Sequence, residues 1–310
     1  MSKKIKKNRW GKKFVDKRNH RAYQEELLKR YEIYLDLDWA DDWFFELEEM
    51  NKGKRGKPYV YPKSMIEFQA LLTEKFSYRG AEAITRKLRE YNLLLRCKDH
   101  ATIHRRVLEL GLEFEIPEGN SLHIGHDGSG MKMTNSGEYF QSTYLDGPRK
   151  RAHLMITATK DDILDVEVVV YEAGMQSETD TAILHNKKII KKGGKIGKVY
   201  DDAGYDSKKY FNFLEEMKIE SAVRPRMDKC KKAHGSMRRK REKLQLMNLG
   251  YKEWSNKKDY GARWPMTEGH FSAIKRGFGE NARAKKVKNI LTEHKRKVWI
   301  YDRIRKYGRG

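Results

Sequence analysis

Three acidic residues stand in local sequences that could place their carboxylates around metal ions. Asp127 follows an apolar run and precedes Gly-Ser-Gly, Asp202 begins Asp-Ala-Gly-Tyr-Asp, and Glu268 lies in Thr-Glu-Gly-His-Phe. Carboxylate oxygens are the ligands that hard divalent cations prefer. Two such cations about 3.5–4 Å apart can drive an in-line phosphoryl transfer. Asp127, Asp202 and Glu268 are therefore candidate catalytic residues and candidate ligands for two Mg²⁺ or Mn²⁺ ions.

The predicted strands favour the convergence of these acids. Residues 122–127 and 196–202 are apolar runs, and each ends in one of the aspartates. Crevices form at the carboxyl ends of strands in open α/β sheets. We expect a glycine-rich turn directly after Asp127. Alternation of side chains along residues 198–202 puts Asp201 and Asp202 on opposite faces, so only one of them should point into the site, and the sequence pattern favours Asp202.

Each acid also has an ordinary structural explanation. Asp127 could hold a turn, Asp202 could hydrogen-bond local backbone, and Glu268 could be a first-turn helix residue that the helix dipole favours. We expect Glu268 about one turn into its helix, which would begin near Pro265. Considered jointly, with the sheet order and the basic charge described below, the three acids favour a catalytic site.

The spacing of apolar residues changes from helical to extended near residue 119. Before that point it predicts short helices, two of them with N-caps at Ser77 and near Asp99. After it, strands are predicted at residues 122–127, 150–159, 163–171, 196–202 and 221–224. A turn at Asp161-Asp162 joins the second and third of these strands. A helix capped by Ser177 separates the third strand from the fourth, and a helix at 207–217 separates the fourth from the fifth. A basic helix is predicted at 284–307. This order predicts an α/β fold with an RNase H-like mixed sheet, in which three antiparallel strands are joined to parallel strands by crossover helices.

The same patterns divide the chain into three predicted regions. Residues 1–57 form a basic arm and an acidic, aromatic helical segment; residues 58–118 form a helical domain that resembles a helix-turn-helix; and residues 119–310 form the catalytic domain, with a basic insertion around 224–262. We expect the helix that begins near Asp99 to face the DNA major groove with His104, Arg105 and Arg106. The alternative is a plain helical subdomain with a solvated basic face.

Charge is distributed unevenly along the chain. Residues 1–21 carry ten Lys or Arg, whereas residues 32–49 carry eight acids and no Lys or Arg; a basic linker follows at 52–58. We interpret residues 32–49 as an amphipathic helical stretch. Residues 224–243 carry ten Lys or Arg, including Arg238 and Arg239, against two acids. This run is interpreted as a loop that follows DNA phosphates, with a solvated charge run as the alternative.

Composition indicates which partner and which cellular compartment to expect. The 67 Lys and Arg against 44 Asp and Glu leave a formal charge of +23, which makes nucleic acid the expected partner. The chain has 2 Cys, which argues for a reducing compartment. Cys230 and His234 lack a second pair at metal-ligand spacing, so a zinc site is the minor alternative. No run approaches the ~18 apolar residues of a membrane span, and we expect a cytoplasmic, nucleoid-associated protein without a membrane.

Three stretches make the chain resemble prokaryotic insertion-sequence transposases of the DDE type, a family in the RNase H-like, retroviral-integrase superfamily. They are the segments that contain Asp127, Asp202 and Glu268, and the resemblance covers roughly residues 61–307. Relatives carry a Tyr, Arg, Glu and Lys signature with two, three and six residues between its members. The matching positions here are Tyr260, Arg263, Glu268 and Lys275. Four residues, rather than three, separate Arg263 from Glu268.

The resemblance implies a function. Such a protein binds the terminal inverted repeats of its own element, hydrolyses phosphodiester bonds at the ends and joins the freed 3′-OH to target DNA. It implies Mg²⁺ as the working cation and a homo-oligomer, at least a dimer on DNA. Lys275 and Arg263 would grip phosphates beside the metals, and Tyr260 belongs to the same signature. Two alternatives stay open: an RNase H-like nuclease without strand transfer, and a non-catalytic DNA-binding regulator derived from a transposase.

Overall fold

A five-stranded mixed sheet organises the protein, whose computed structural model describes residues 18–119, 121–133, 151–171, 175–227 and 235–310. Its order is β3-β2-β1-β4-β5, and its strands are β1 Leu122–Lys132, β2 Arg151–Ala158, β3 Ile163–Val170, β4 Ile196–Asp201 and β5 Glu220–Val223. The strands β1, β2 and β3 pair antiparallel, whereas β4 pairs parallel with β1 and with β5. The predicted RNase H-like mixed sheet is confirmed.

Helices precede, connect and follow the strands. Those before the sheet are α1 His20–Glu32, α2 Trp43–Asn51, α3 Lys63–Lys75, α4 Tyr78–Glu90 and α5 His100–Glu109. The crossover helices are α6 Glu178–Lys191 and α7 Lys208–Glu216. After β5 come α8 Met237–Lys258, α9 Arg263–Met266, α10 Glu268–Phe278 and α11 Val287–Arg309. Short 3-10 turns lie at Asp38–Ala40, Ala203–Tyr205 and Tyr260–Ala262. None of the helices in the described ranges combines the length and apolarity needed to span a bilayer.

The three N-caps expected from the sequence are confirmed. The side chains of Ser77, Asp99 and Ser177 each accept a hydrogen bond from a backbone N–H two or three residues further on. These bonds satisfy donors that have no partner within the first helical turn. The caps therefore set the starts of α4, α5 and α6, and the start of α6 matters for the site described below.

Apolar side chains cover both faces of the sheet. On one face, Phe68 of α3, Ile103 of α5 and Trp299 of α11 share a core with residues of β1, β2 and β3. On the other, Ile183 of α6 and Phe211 of α7 pack against β1 and β4. A buried ion pair between Glu74 of α3 and Arg296 of α11, 3.1 Å apart, reinforces the first face. The helices α3 and α5 thus share one continuous core with α11 and the sheet.

The prediction of one helical stretch at residues 32–49 was wrong in detail. Residues 32–49 are not one helix, because the chain turns at residues 33–42 before α2 begins. The Asp36 carboxylate accepts a bond from the Asp38 N–H, and the Trp39 indole donates to the Asp36 carbonyl. Such local bonds compete with the helical pattern. Trp39 and the buried Trp43 pack inward, whereas Phe44 and Phe45 are exposed.

The basic run at 224–243 is not a continuous loop. Residues 228–234, which include Cys230 and His234, lie outside the described residues, but α8 already begins at Met237. The Ser236 side chain caps this helix by accepting from the Arg239 N–H. Local capping therefore outweighs the density of like charge in the second half of this run.

Candidate active site

Asp127 lies in the middle of β1 and not before a turn, so that prediction was wrong. The strand continues to Lys132, and residues 128–132 pair with residues 155–151 of β2. Glycines weaken a strand by themselves, but β2 supplies a ladder partner for each of them. The carboxylate therefore projects from a strand that is paired with β2 at this position, which makes it more rigid than a turn residue would be.

The register of the sheet brings Asp127 and Asp202 to the same place. The parallel pairing of β1 with β4 ends at Gly125 and Tyr200, and each aspartate lies two residues beyond one of them. Because side chains alternate between the faces of a sheet, both aspartates lie on the face of Gly125 and Tyr200. Asp201 lies on the opposite face and is fully buried. The prediction that Asp201 and Asp202 face opposite sides is confirmed.

The Asp127 carboxyl group is unusually basic for an aspartate. Burial raises its pKa to about 6, and the nearby carboxylates of Asp202 and Glu178 raise it as well. The Gly128 N–H, which donates to Asp127 Oδ1 at 2.9 Å, and the Arg263 guanidinium lower the pKa, but by less. Negative charge is thus concentrated at this point of the sheet, where a cation would be stabilised.

Asp202 also has a structural task. Its Oδ1 accepts a bond of 2.7 Å from the Gly204 N–H and so caps the 3-10 turn Ala203–Tyr205. This is the local backbone bond that the sequence allowed as an alternative explanation. Because a carboxylate has a second oxygen with its own lone pairs, the capping bond leaves Asp202 able to accept a further ligand.

Glu268 is the first residue of α10, so the expectation that it lies about one turn into the helix was wrong. Thr267, with the non-helical angles φ −130° and ψ −73°, separates α9 from α10. In one continuous helix, residues five positions apart lie about 140° apart around the axis and do not meet. The break lets Arg263 donate from Nη2 to Glu268 Oε1 in spite of that separation.

Arg263 links two of the three candidate ligands. Its Nη1 lies 3.8 Å from Asp127 Oδ2, while its Nη2 bonds Glu268. The ring of Tyr260 lies 6.0 Å from the guanidinium and holds it from one side. The buried Tyr260 hydroxyl donates to the Asp201 carbonyl at 3.3 Å, and burial raises its pKa to about 12. Tyr260 therefore serves as a neutral support for Arg263.

Lys275, which belongs to α10, contacts the strand that carries Asp127. Its Nζ donates to the Gly130 carbonyl of β1 at 3.1 Å and forms an ion pair with Glu280, also at 3.1 Å. Of the four members of the Tyr, Arg, Glu and Lys signature, Arg263 and Lys275 thus approach β1, at Asp127 and at Gly130. Two cationic side chains therefore lie along the segment of β1 that carries Asp127.

Glu178 belongs to the same cluster, and the sequence did not single it out. It is the first residue of α6, and its Oε1 lies 3.2 Å from Nε2 of the mostly buried His153. A Cβ atom added to Gly128 would collide with that Glu178 oxygen and would lie 2.5 Å from the His153 ring. The signal that could have found Glu178 is its position directly after the Ser177 cap, where a crossover helix begins over the end of β1.

The other predicted DNA contacts lie elsewhere. His104, Arg105 and Arg106 are exposed on α5, where the His104 ring meets the edge of Tyr78 at 4.8 Å. In the described part of the chain, no hydrogen bond or ion pair links these three side chains to the acidic cluster.

Arg238 and Arg239 make intramolecular contacts instead of presenting unused charge. Arg238 donates to the Ile219 carbonyl, and Arg239 forms a two-pronged pair with the buried Asp206, at 2.6 and 3.0 Å. Burial lowers the pKa of Arg238. These contacts favour a structural role for both side chains, which anchor α8 to the sheet.

The donor set suits a divalent cation, although the carboxylates are not assembled around a common point. Among the residues that the structure describes, no group of three or more His, Cys, Asp or Glu is arranged to hold a metal ion. The carboxylates of Asp127 and Glu268 instead both face the guanidinium of Arg263, which lies between them. Asp127, Asp202, Glu178 and Glu268 offer only oxygen donors, which is the ligand class of Mg²⁺ and Mn²⁺.

Comparisons with known proteins give one clear result. A sequence model described as a transposase DDE domain matches residues 119–295, and a second model of the same description matches residues 29–136. No curated protein matches the chain.

Two solved structures show distant similarity. One is the simian T-cell lymphotropic virus intasome in complex with PP2A regulatory subunit B56 gamma, with 16% identity over 72% of this chain and 74% of that chain and a TM-score of 0.23. The other is a pre-cleavage Mos1 transpososome, with 11% identity over 95% of this chain and 98% of that chain and a TM-score of 0.23.

Proposed function

The chain belongs to the family of transposase DDE domains, and we propose that it binds the terminal inverted repeats of its own element, hydrolyses phosphodiester bonds at those ends and joins the freed 3′-OH to target DNA. The observation that carries this proposal is the sheet register, which gives Asp127 and Asp202 equivalent places beside the end of the β1 and β4 pairing. Glu268 is the third acid, connected to Asp127 through Arg263.

Asp127, Asp202 and Glu268 are the proposed ligands for Mg²⁺ or Mn²⁺. Two bound cations would supply activation of the attacking oxygen and stabilisation of the leaving oxygen. For Glu268 to take part, its carboxylate must exchange the Arg263 guanidinium for the cation. This exchange is favoured because a divalent cation offsets more of the negative charge of Asp127, Asp202 and Glu268 than one guanidinium does.

The chain's own cations are proposed to hold the reacting phosphate. Once Glu268 is released, the Arg263 guanidinium can donate to two phosphate oxygens, and the Tyr260 ring keeps the guanidinium plane oriented. Lys275 adds a point charge further along β1. These groups bind and orient the phosphodiester, and the protein needs no side-chain nucleophile.

The two proposed steps are of the same chemical type and balance without an energy source. In the first, water attacks phosphorus, the P–O3′ bond breaks, and the products are a 3′-OH and a 5′-phosphate. In the second, that 3′-OH attacks a target phosphodiester, a new P–O bond forms and the target 3′-oxygen leaves with the proton. One arrangement of acids and cations can therefore serve both steps.

The partners follow from the same proposal. The net charge of +23 favours double-stranded DNA, both element ends and target. We propose that residues 58–118 are the DNA-binding helical region, that residues 119–310 are the catalytic region, and that at least two copies act together on paired ends, in the cytoplasm with the nucleoid.

The decisive test uses DNA that carries the ends of the element, found as a pair of short inverted repeats flanking the coding region. Incubation with Mg²⁺ should yield nicks at the ends and products in which the 3′ end is joined to a second duplex. A pre-cut end with a free 3′-OH should also be transferred. Cleavage that Asp127→Ala and Asp202→Asn leave unaffected would sink the proposed site.

The same assay separates the two alternatives. A nuclease of this fold would cut the ends but never transfer a supplied 3′-OH. A regulator would bind the ends equally well as wild type and as Asp127→Ala, and no divalent metal would promote cleavage. Either pattern would contradict the strand-transfer activity.

A further inference from the structure

A cationic cavity lies in the helical region, apart from the acidic cluster. It has a volume of about 420 Å³ and is bordered by the linker at 52–58, the start of α3 and one side of α5. A volume of this size falls in the ~300–1,000 Å³ range of small-molecule pockets. Five cations line it, and no Asp or Glu is among the described residues that do so: Lys54, Lys57, Lys98, Arg105 and Arg106. The cavity therefore favours an anion.

Gln69 is the unusual member of the lining. Its side chain is 0% exposed, and neither its Nε2 nor its Oε1 has a hydrogen-bond partner among the described residues. Buried amides are nearly always paired, because leaving the group unpaired is unfavourable. Because Gln69 also borders the cavity, a turn of its side chain toward a bound ligand would let both atoms form hydrogen bonds. An amide offers one donor group beside one acceptor, which is the complement of a nucleobase edge.

Two tyrosines add flat apolar surfaces. The Lys98 Nζ lies 4.2 Å from the centroid of the Tyr61 ring, and the Lys54 Nζ lies 4.8 Å from that of Tyr59. Rings that already attract cations can also stack with a base, and stacking on aromatic side chains is tolerant of base identity. An anion with a planar, hydrogen-bonding ring matches all three properties of the cavity.

We propose that this cavity binds one nucleotide, with its base between the tyrosines and the amide of Gln69 and its phosphate among Lys57, Arg105 and neighbouring cations. The ligand is either a free nucleotide or an unpaired nucleotide within a DNA strand. A paired base cannot enter, because its edge and both faces are occupied in the duplex. The proposal gives Arg105 and Arg106 a role that differs from reading the major groove.

The test measures binding of the full chain to a short labelled single-stranded DNA and to a strand of the same length in which every position is abasic. Wild type should prefer the complete strand, and Gln69→Met should reduce that affinity about tenfold while leaving the abasic strand unchanged. The same substitution should raise the thermal midpoint, since a buried unpaired amide is replaced by an apolar side chain of similar length. A merely structural role of Gln69 predicts the opposite change in stability.

Competition with unlabelled dAMP, dGMP, dCMP, TMP and inorganic phosphate then distinguishes the sources. Displacement by a mononucleotide identifies a free nucleotide as a sufficient ligand, whereas displacement only by single strands identifies an unpaired nucleotide of DNA. Lys57→Glu should weaken binding much more than Arg55→Glu, because Arg55 is an exposed cation of the same linker that does not line the cavity. Equal affinity for the abasic strand, displacement by phosphate as strong as by nucleotides, or no effect of Gln69→Met would overturn the proposal.

Discussion

The acids on the two faces of the β1 and β4 pair differ in burial and in hydrogen bonding. On the closed face, Asp201 lies 2.9 Å from His126 Nδ1 and accepts a bond of 2.7 Å from the Tyr210 hydroxyl, and all three side chains are fully buried. On the open face, Asp127 and Asp202 remain partly exposed, and Asp127 lies near Arg263. The comparison teaches that an acid here stays available to a ligand only where the fold leaves one of its oxygens without a hydrogen bond.

Burial acts on both faces and disfavours the charged form on each. On the open face it raises the pKa of the Asp127 carboxyl to about 6, so a nearby cation would stabilise the ionised form. On the closed face it lowers the pKa of His185 to about 4, which keeps that imidazole neutral. The faces differ in access, because Asp127 is partly exposed whereas His185 is enclosed.

The largest expected effect is on activity, at the open face. Asp127→Asn and Asp202→Asn should each reduce Mg²⁺-dependent cleavage of element-end DNA by about 10³-fold or more, since a ligand worth several kcal/mol in the transition state is lost. The amide introduced by Asp202→Asn would keep an oxygen for the Gly204 N–H, so the thermal midpoint should stay near that of wild type. Unchanged cleavage in both variants would show that the open face is not the catalytic one.

On the closed face, the expected loss is of stability. Asp201→Ala removes the acceptor of the Tyr210 hydroxyl and the partner of His126 in a buried site, which should reduce the free energy of unfolding by about 3 kcal/mol. Urea unfolding measures this, with Asp202→Ala as the matched control at the adjacent position. A similar loss in both variants would contradict the distinction between the faces.

Acid should also destabilise the closed face through His185. Its pKa is about 4 in the folded protein against an ordinary value of 6.5, so between these values the unfolded chain binds more protons and stability falls as pH falls. At pH 5 the loss is about 2 kcal/mol. Charged or titratable groups that face His185 are Asp165, Lys188, His126 and Lys295. His185→Gln should unfold with a weaker dependence on pH between 4 and 6.5, and an unchanged dependence would refute this origin.

The smallest expected effect tests how closely Glu178 and His153 approach β1. Gly128→Ala should reduce stability by about 1 kcal/mol, because the new methyl group displaces the Glu178 carboxylate and the His153 ring. Gly130→Ala is the control on the same strand, since its Cβ would lie at an ordinary 3.8 Å from Arg151. Adding Glu178→Ala should recover part of the loss. If both glycine variants unfold alike, Glu178 is not held against Gly128.

Much of the fold was predictable because it depends on local patterns. Apolar periodicity indicated the strand order, and capping residues such as Ser77 and Ser177 indicated the helix starts. The extent of β1 was not predictable, because Gly-Ser-Gly is typical of turns and only the pairing with β2 keeps it extended. The contact of Arg263 with both Asp127 and Glu268 was equally unpredictable from the sequence, since it depends on the interruption of the helix at Thr267.

By itself, the sequence determined the residue types and their spacing: the acids, the cations of the signature, the charge excess and the alternation that separates Asp201 from Asp202. Only the tertiary structure decided which oxygens stay unsatisfied, that Glu178 joins the acids, that Arg238 and Arg239 are engaged within the chain, and that Gln69 is left without a partner among the described residues. The physical reason is that a side chain's type is local, whereas its burial and its partners are set by elements far away in the sequence.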